Sequence, residues 1–297
     1  MTNPDTTNPD TTNAGATNAG GTNAGGTNAG AVNGATMKPA ALFDVSGKTV
    51  VVTGGSRGIG LMIARGFVES GATVVISSRK ADACRQAAEE LSASGGTCIA
   101  HPADLSTPDG IASLVERVRE ISPRIDVLVN NAGATWGAPI DEFPDSAFDK
   151  VFDVNVKAVF ALTQRLLPEL RAASREGDPA RVINIGSVDG MTVSASDNFS
   201  YGASKAAVHM LTRKLAAVTA ADGITVNAIA PGPFPSKMMA YALDDPELRS
   251  GVLQRIPLGR TGTPEDAAGT AIFLASRAGA YLTGVVIPVD GGLTGAR

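Results

Sequence analysis

TVVVTGGSRGIG, residues 49–60, carries the information that sets the fold. Its first five residues are β-branched and have no polar face, as expected of a strand covered on both sides. The glycine-rich turn after them permits backbone angles and close approaches that a Cβ would block. A helical pattern follows over 60–70, Gly71 ends it, and ATVVIS at 72–77 reads as a second strand. Strand, glycine turn, helix, strand is the start of a parallel α/β sheet.

The alternation continues to the C-terminus. Helices are predicted over 81–94, 108–121, 148–170, 201–221 and 264–274. Strands are predicted in CIAHPAD (98–104) and over 125–129, 180–185, 224–229 and 285–289. The expected architecture is a three-layer doubly wound (Rossmann) α/β fold, with a mostly parallel seven-stranded sheet in a single domain over 41–297. The one long irregular stretch, 231–262, follows the sixth strand. Ligands bind there in such sheets, outside the carboxyl ends of the strands, so about 233–262 is the candidate substrate lid.

Residues 1–40 differ in kind. TNAG recurs from Thr12, Thr17, Thr22 and Thr27, with no aromatic residue and no apolar period. Such a segment cannot offset the entropy of its own ordering, and it is expected to be a disordered low-complexity tail.

A formal charge of −4 gives no reason to expect nucleic acid or anionic lipid as a partner. Cys84 and Cys98 lack metal or disulfide spacing, and His101 and His209 stand apart, so no metal site is expected. No apolar run is long enough for a membrane span and no secretion signal opens the sequence, which suggests the cytoplasm.

The turn Thr53-Gly-Gly-Ser-Arg-Gly-Ile-Gly60 lies where a helix N-terminus offers free N–H groups and a favourable dipole to a pyrophosphate. At the end of the second strand, where an acidic residue would grip a ribose diol, stands Ser78, followed by Arg79 and Lys80. With Arg57 in the turn, these donors suit a ribose 2′-phosphate, and NADP(H) is the expected cofactor. Tyr201 and Lys205, four apart at the start of a long helix, share one face, where an ammonium would lower the pKa of the phenol. Ser187 follows the fifth strand, and Asn155 lies in a long helix where a backbone irregularity would suit a water near the lysine.

TGxxxGxG at 53–60, NNAG at 130–133, Ser187, YGASK at 201–205 and Pro231-Gly232 resemble, in order and in their elements, the short-chain dehydrogenase/reductase family. The resemblance covers about 42–297 and is closest to the 3-oxoacyl-acyl-carrier-protein reductase-like branch. It implies a catalytic tetrad of Asn155, Ser187, Tyr201 and Lys205. Tyr201 would be the acid in reduction, Lys205 would lower its pKa and bind the nicotinamide ribose, Ser187 would polarise the carbonyl, and Asn155 would anchor a relay water. It implies cofactor contacts at Gly54, Ser56, Arg57, Gly58, Ile59, Gly60, Ser78, Arg79, Asp104 (adenine amine), Leu105, Asn131, Ala132, Gly133, Tyr201, Lys205, Pro231, Gly232 and Ser236. Ser236 stands where the family usually has threonine and keeps the hydroxyl.

Trp136, Met191, Phe199, Phe234, Met238, Met239 and Tyr241 give the expected pocket an apolar wall. The substrate expected on these grounds is a 3-oxoacyl thioester, on coenzyme A or a carrier protein. A free ketone, polyol or hydrophobic secondary alcohol is the alternative, and a non-catalytic nucleotide-binding protein is the third class. The apolar stripes of the helices at 148–170 and 201–221, and of the last strand, exceed what one sheet face needs. A homotetramer, or failing that a dimer, is expected.

Overall fold

The computed structural model describes residues 37–194 and 196–295, and the repeats of the tail lie outside them. The last part of the segment assigned to the tail is described from Met37, and Pro39–Leu42 forms a short helix α1. The sheet has seven strands: β1 (Thr49–Thr53), β2 (Thr73–Ser78), β3 (Thr97–Pro102), β4 (Val127–Asn130), β5 (Ala180–Ile185), β6 (Ile224–Pro231) and β7 (Val286–Val289). Their order is β3-β2-β1-β4-β5-β6-β7. Every pairing is parallel, not merely most of them.

The valine run of β1 shows why both faces are apolar. Val50 and Val52 enter the core cluster shared with Ile63 and Phe67 of α2 (Gly58–Glu69), Cys84 and Leu91 of α3 (Ala81–Ala93), and Ala271 and Leu274 of α11 (Pro264–Ala275). Val51 points the other way, into the cluster with Leu114 of α4 (Pro108–Ile121), Leu162 of α6 (Ala158–Arg165) and Leu215 of α8 (Phe199–Thr219). Strand side chains alternate between faces, so a strand covered on both must be apolar throughout. Cys84 and Cys98 are free and buried.

The predicted helix at 148–170 is divided. It comprises α5 (Asp145–Phe152), a π-helical turn at Asp153–Lys157, α6, and α7 (Leu167–Ala173). Pro168 in the first turn of α7 explains the second break, because it cannot donate to the preceding turn. The first break carries Asn155 into the interior. The 231–262 stretch is not wholly irregular: it holds α9 (Ala240–Leu243) and α10 (Pro246–Gln254). Among the described residues no helix is long and apolar enough to cross a membrane.

Two polar devices hold the layers in register. Asn130 Nδ2 donates to Thr163 Oγ1 (3.2 Å) and Asn184 Oδ1 (2.9 Å), and Asn184 Nδ2 donates to Thr212 Oγ1 (2.9 Å). This buried chain joins α6, β4, β5 and α8. At the opposite end of the sheet, buried Arg181 donates from Nε to Leu274 O (3.0 Å) and from Nη2 to Ser276 O (2.9 Å), satisfying carbonyls at the end of α11. Its ion pair with Asp178 spans 3.0 Å, and Lys48 shares that carboxylate at 2.9 Å.

Arg181→Met would leave two buried carbonyls without a donor. The expected loss is about 2–4 kcal/mol. In a thermal melt this reads as a fall of roughly 5–15 °C. An unchanged midpoint would show that the clamp contributes nothing.

Candidate active site

The strand order reverses between β1 and β4, and the crevice opens above that point. The Thr53 hydroxyl ties the two strand ends together. It accepts from the backbone N–H of Asn131 (2.9 Å) and of Ala132 (3.0 Å), and donates to Val129 O (3.3 Å). Asn131 Nδ2 donates to Thr53 O (2.9 Å) and Gly54 O (3.2 Å). Asn131 and Ala132 therefore spend these polar groups on the turn itself. They shape the cradle from the side of β4.

Gly54 and Gly58 adopt φ of +67° and +54°, which other residues rarely take. A Cβ on Gly60 would collide with the Asn131 amide and the Gly54 carbonyl. The bare backbone lies at the N-terminus of α2, whose first N–H groups have no partner within the helix, beside half-buried Ser56 and Ile59. These are the features a pyrophosphate cradle requires.

Arg57 is the extended residue before α2, and both it and Arg79 are exposed. The Ser78 hydroxyl is half-buried and donates to Lys80 O at 3.4 Å. Burial disfavours charge on Asp104, but hydrogen bonds from Ser106 and the Arg79 charge outweigh it and lower the carboxyl's pKa. Oδ1 of Asp104 accepts from Ser106 N (3.0 Å) and Oγ (2.8 Å). Arg79 and Asp104 thus border one end of the crevice. The Leu105 side chain is buried in the core with Leu114 and Ile111, so its backbone is the part available to a ligand.

At the other end, Gly133 faces the polar centre. A Cβ there would lie 3.3 Å from Asn155 Oδ1 and 3.8 Å from Lys205 Nζ. The π turn lets Asn155 reach the strand-end loop, accepting from Ala134 N (2.8 Å) and donating to Ala134 O (3.0 Å). Asn155 Nδ2 also donates to Ser204 Oγ (2.9 Å), which donates to Tyr201 O (2.7 Å). Ser204 is buried and was not singled out from the sequence; its position just before Lys205 was the available signal. Pro231 and Gly232 close the far wall, Gly232 N donating to Val289 O (3.0 Å). Ser236 brings the lid over the glycine turn, its Cβ 3.5 Å from where a Cβ of Gly58 would be.

Tyr201, Lys205 and His209 lie four apart along α8. Lys205 Nζ donates to Ile185 O (2.7 Å) and sits 5.5 Å from the Tyr201 ring centroid. Burial pushes the Lys205 ammonium down to about 8. Burial also pushes the Tyr201 phenol up to about 12, against a hydrogen bond with Ser187, and the Asp189 charge adds to the rise. Loss of solvation is the largest influence on the phenol and opposes the lowering expected from a neighbouring ammonium. Ser187 is buried, and its Oγ accepts from Asp189 N at 3.1 Å. Buried His209 lies under this loop, against Gly186 and Gly190, with Nε2 unpartnered. Its pKa is lowered by burial and then by Lys205.

Of the apolar wall, Trp136, Met191, Phe199, Met238 and Tyr241 are exposed around the opening. Phe234 is not part of the wall. It is buried in the core, where its ring occupies the space a Gly262 side chain would need, and it anchors the lid. Among the described residues no group of three or more His, Cys, Asp or Glu side chains is placed to hold a metal ion.

The family model described as enoyl-(acyl carrier protein) reductase matches residues 54–294. The stretches at 130–139, 181–190 and 230–238 resemble the reductase associated with rhamnolipid synthesis, and the likeness extends across the domain. The rhamnolipids biosynthesis 3-oxoacyl-[acyl-carrier-protein] reductase of Pseudomonas aeruginosa is 50% identical over 250 residues, covering 84% of this chain and 97% of that one. The P. aeruginosa RhlG/NADP active-site complex superposes with a TM-score of 0.83 at 49% identity, over 85% of this chain and 98% of that one. The 2-dehydro-3-deoxy-D-gluconate 5-dehydrogenase of Pseudoalteromonas atlantica is 37% identical over 258 residues, covering 85% of this chain and 98% of that one.

In the ligand-free protein the Lys205 ammonium should lose its proton near pH 8, well below the 10.5 of a free lysine. A 13C NMR titration of the lysine side chains reads this directly, with Lys205→Arg to assign the resonance. A Lys205 midpoint above about 10 would contradict the desolvation argument.

Proposed function

The chain belongs to the short-chain dehydrogenase/reductase family, and on that premise we propose that it is an NADPH-dependent reductase converting a 3-oxoacyl thioester to the 3-hydroxyacyl thioester. One observation carries the chemistry: Ser187 after β5, Asn155 of the π turn, and Tyr201 and Lys205 of α8 come from three separate elements and converge beside a backbone cradle at the switch point of the sheet. A nucleotide-binding protein without catalysis would have no use for a buried lysine beside a half-buried phenol.

The cradle of Gly54, Gly58 and Gly60 fits the pyrophosphate, and Arg57, Ser78 and Arg79 fit a 2′-phosphate. The cofactor, when bound, supplies the hydride. The protein supplies placement and the proton. Ser187 Oγ and Tyr201 Oη hold the carbonyl oxygen. The phenol, with its pKa at about 12, is fully protonated near neutrality and so ready to donate as the carbonyl oxygen becomes an alcohol. The Lys205 ammonium, 5.5 Å from the ring, stabilises the phenolate that remains. Asn155 fixes the loop of Ala134 and, through Ser204, the backbone of Tyr201.

The apolar opening of Trp136, Met191 and Phe199 favours an acyl chain over a sugar. The 37%-identical 2-dehydro-3-deoxy-D-gluconate 5-dehydrogenase keeps reduction of a hydroxylated ketone as the second reading. Initial rates with a 3-oxoacyl-coenzyme A, a 3-oxoacyl carrier protein and 5-keto-gluconate, each with NADPH and NADH, test both. The thioesters with NADPH should give the highest kcat/KM, and Tyr201→Phe should lower it by at least about a hundredfold. Faster turnover of the keto acid would defeat the thioester reading, and equal use of NADH would defeat the cofactor reading.

The reading also includes a cytoplasmic setting and a homotetramer. Phe148, Phe160, Met210 and Val218, on α5, α6 and α8, and Tyr281 before β7 are exposed, and two-fold partners would cover them. Light scattering at low micromolar concentration should give about four times the 30.1 kDa of one chain. A fully active species of monomer mass would overturn this.

A further inference from the structure

Asp189 is a carboxylate inside the cleft that no step above uses. It lies in the single helical turn Val188–Gly190 that follows Ser187, and it is half-buried. Two bonds fix it. Its backbone N–H donates to Ser187 Oγ (3.1 Å), and its Oδ2 accepts from Asn198 Nδ2 (2.8 Å). Asn198 is the residue before α8, and its carbonyl accepts from Tyr201 N (2.9 Å) and Gly202 N (3.1 Å). A Cβ on Gly202 would lie 3.2 Å from the Asp189 carbonyl. Asp189 therefore spans the narrow gap between the serine and the turn that delivers the tyrosine. Among the described residues no cation forms an ion pair with it. Its negative charge is uncompensated at close range and is felt at the Tyr201 phenol.

We infer that Asp189 is a specificity-determining residue: it excludes substrates that carry a carboxylate close to the reacting carbonyl and admits those whose neighbouring group is uncharged, such as a thioester, an ester or a plain ketone. Charges of one sign about 6 Å apart, in surroundings of intermediate dielectric, repel strongly enough to weaken binding on the order of a hundredfold. A carboxylate one or two carbons from a ketone held between Ser187 and Tyr201 would be brought toward Asp189, whose backbone bonds Ser187 and whose side chain is tied to the turn before Tyr201. The phosphates of coenzyme A or of a phosphopantetheine arm lie many bonds away and escape the repulsion. Met191 and Phe199 offer a carboxylate no cation in return, and the Lys150 ammonium at the rim is engaged over the Trp136 ring, 4.8 Å from its centroid. Specificity then comes from a repulsive element as much as from an attractive one.

This inference rests on the reading of the cleft as a carbonyl-reducing site, and its test needs neither carrier protein nor coenzyme A. The probes are 3-oxooctanoate and its ethyl ester, which differ at the carboxyl alone, each reduced with NADPH. Wild type should prefer the ester by about a hundredfold in kcat/KM, with most of the difference in KM. Asp189→Asn keeps an acceptor for Asn198 and removes the charge, and it should narrow the ester-to-acid ratio at least about tenfold. Should that variant fold poorly, wild type alone still decides: raising the salt from about 20 to 500 mM should narrow its ratio several-fold through screening. Equal use of acid and ester by wild type would overturn the inference. So would a ratio that neither Asp189→Asn nor salt changes. If thioesters prove inert while the ester-to-acid ratio still depends on Asp189, the thioester reading falls and the charge filter stands.

Discussion

The Asn131 side-chain amide donates to the carbonyls of Thr53 and Gly54, and the Thr53 hydroxyl accepts from the backbone of Asn131 and Ala132. These bonds cross the one place in the sheet where neighbouring strands send their connections in opposite directions. Without them the ends of β1 and β4 would present unpaired polar groups in a buried setting, at a cost for each. With them, the glycine turn is pulled against β4 so closely that no side chain fits at position 60. The cradle and the polar centre at Gly133 thus share one rigid base.

The chemistry is set by burial more than by pairing. Lys205 and Tyr201 are each taken out of water, which pushes the ammonium down to about 8 and the phenol up to about 12. The two shifts run in opposite directions, and both favour the neutral form: the phenol keeps its proton and the lysine gives its proton up more readily. His209, one turn further along α8, is lowered in the same way and stays neutral, adding no second positive charge under the site. Asp189 is a negative charge felt at the phenol, and Asn198 holds it there instead of letting it swing to solvent. One short turn after β5 carries both the serine that would hold the carbonyl and the carboxylate that would screen substrates.

Much of this was legible in the sequence. The valine run, the glycines and the strand–helix alternation specify a doubly wound parallel sheet, because local steric preference and the burial of both faces act over a few residues. The spacing of Tyr201 and Lys205 sets a shared helix face, and Ser187 and Asn155 fall in their elements by order alone. The π turn at Asp153–Lys157 and the break at Leu166 are local distortions that an apolar pattern running through them conceals. Asn155 pays for its departure from regular helix with three hydrogen bonds made across the fold.

What only the tertiary structure decided is where each polar group spends its bonds and how much water it keeps. Sequence spacing placed an ammonium near a phenol and so implied a lowered pKa; the depth of both groups adds a desolvation that pushes the phenol the other way. Phe234 and Leu105 lie in stretches that suggest ligand contact, yet packing draws both side chains into the core. Asn131 bonds two strand ends together, a role its place in the sequence does not show, while Asp189 and Ser204 read as loop and helix residues until the fold sets them beside Tyr201. Desolvation and long-range hydrogen bonding depend on neighbours far away in the chain, whereas dihedral preference and hydrophobic period depend on neighbours a few residues away, so the sequence by itself determined the frame and the third dimension determined the charges.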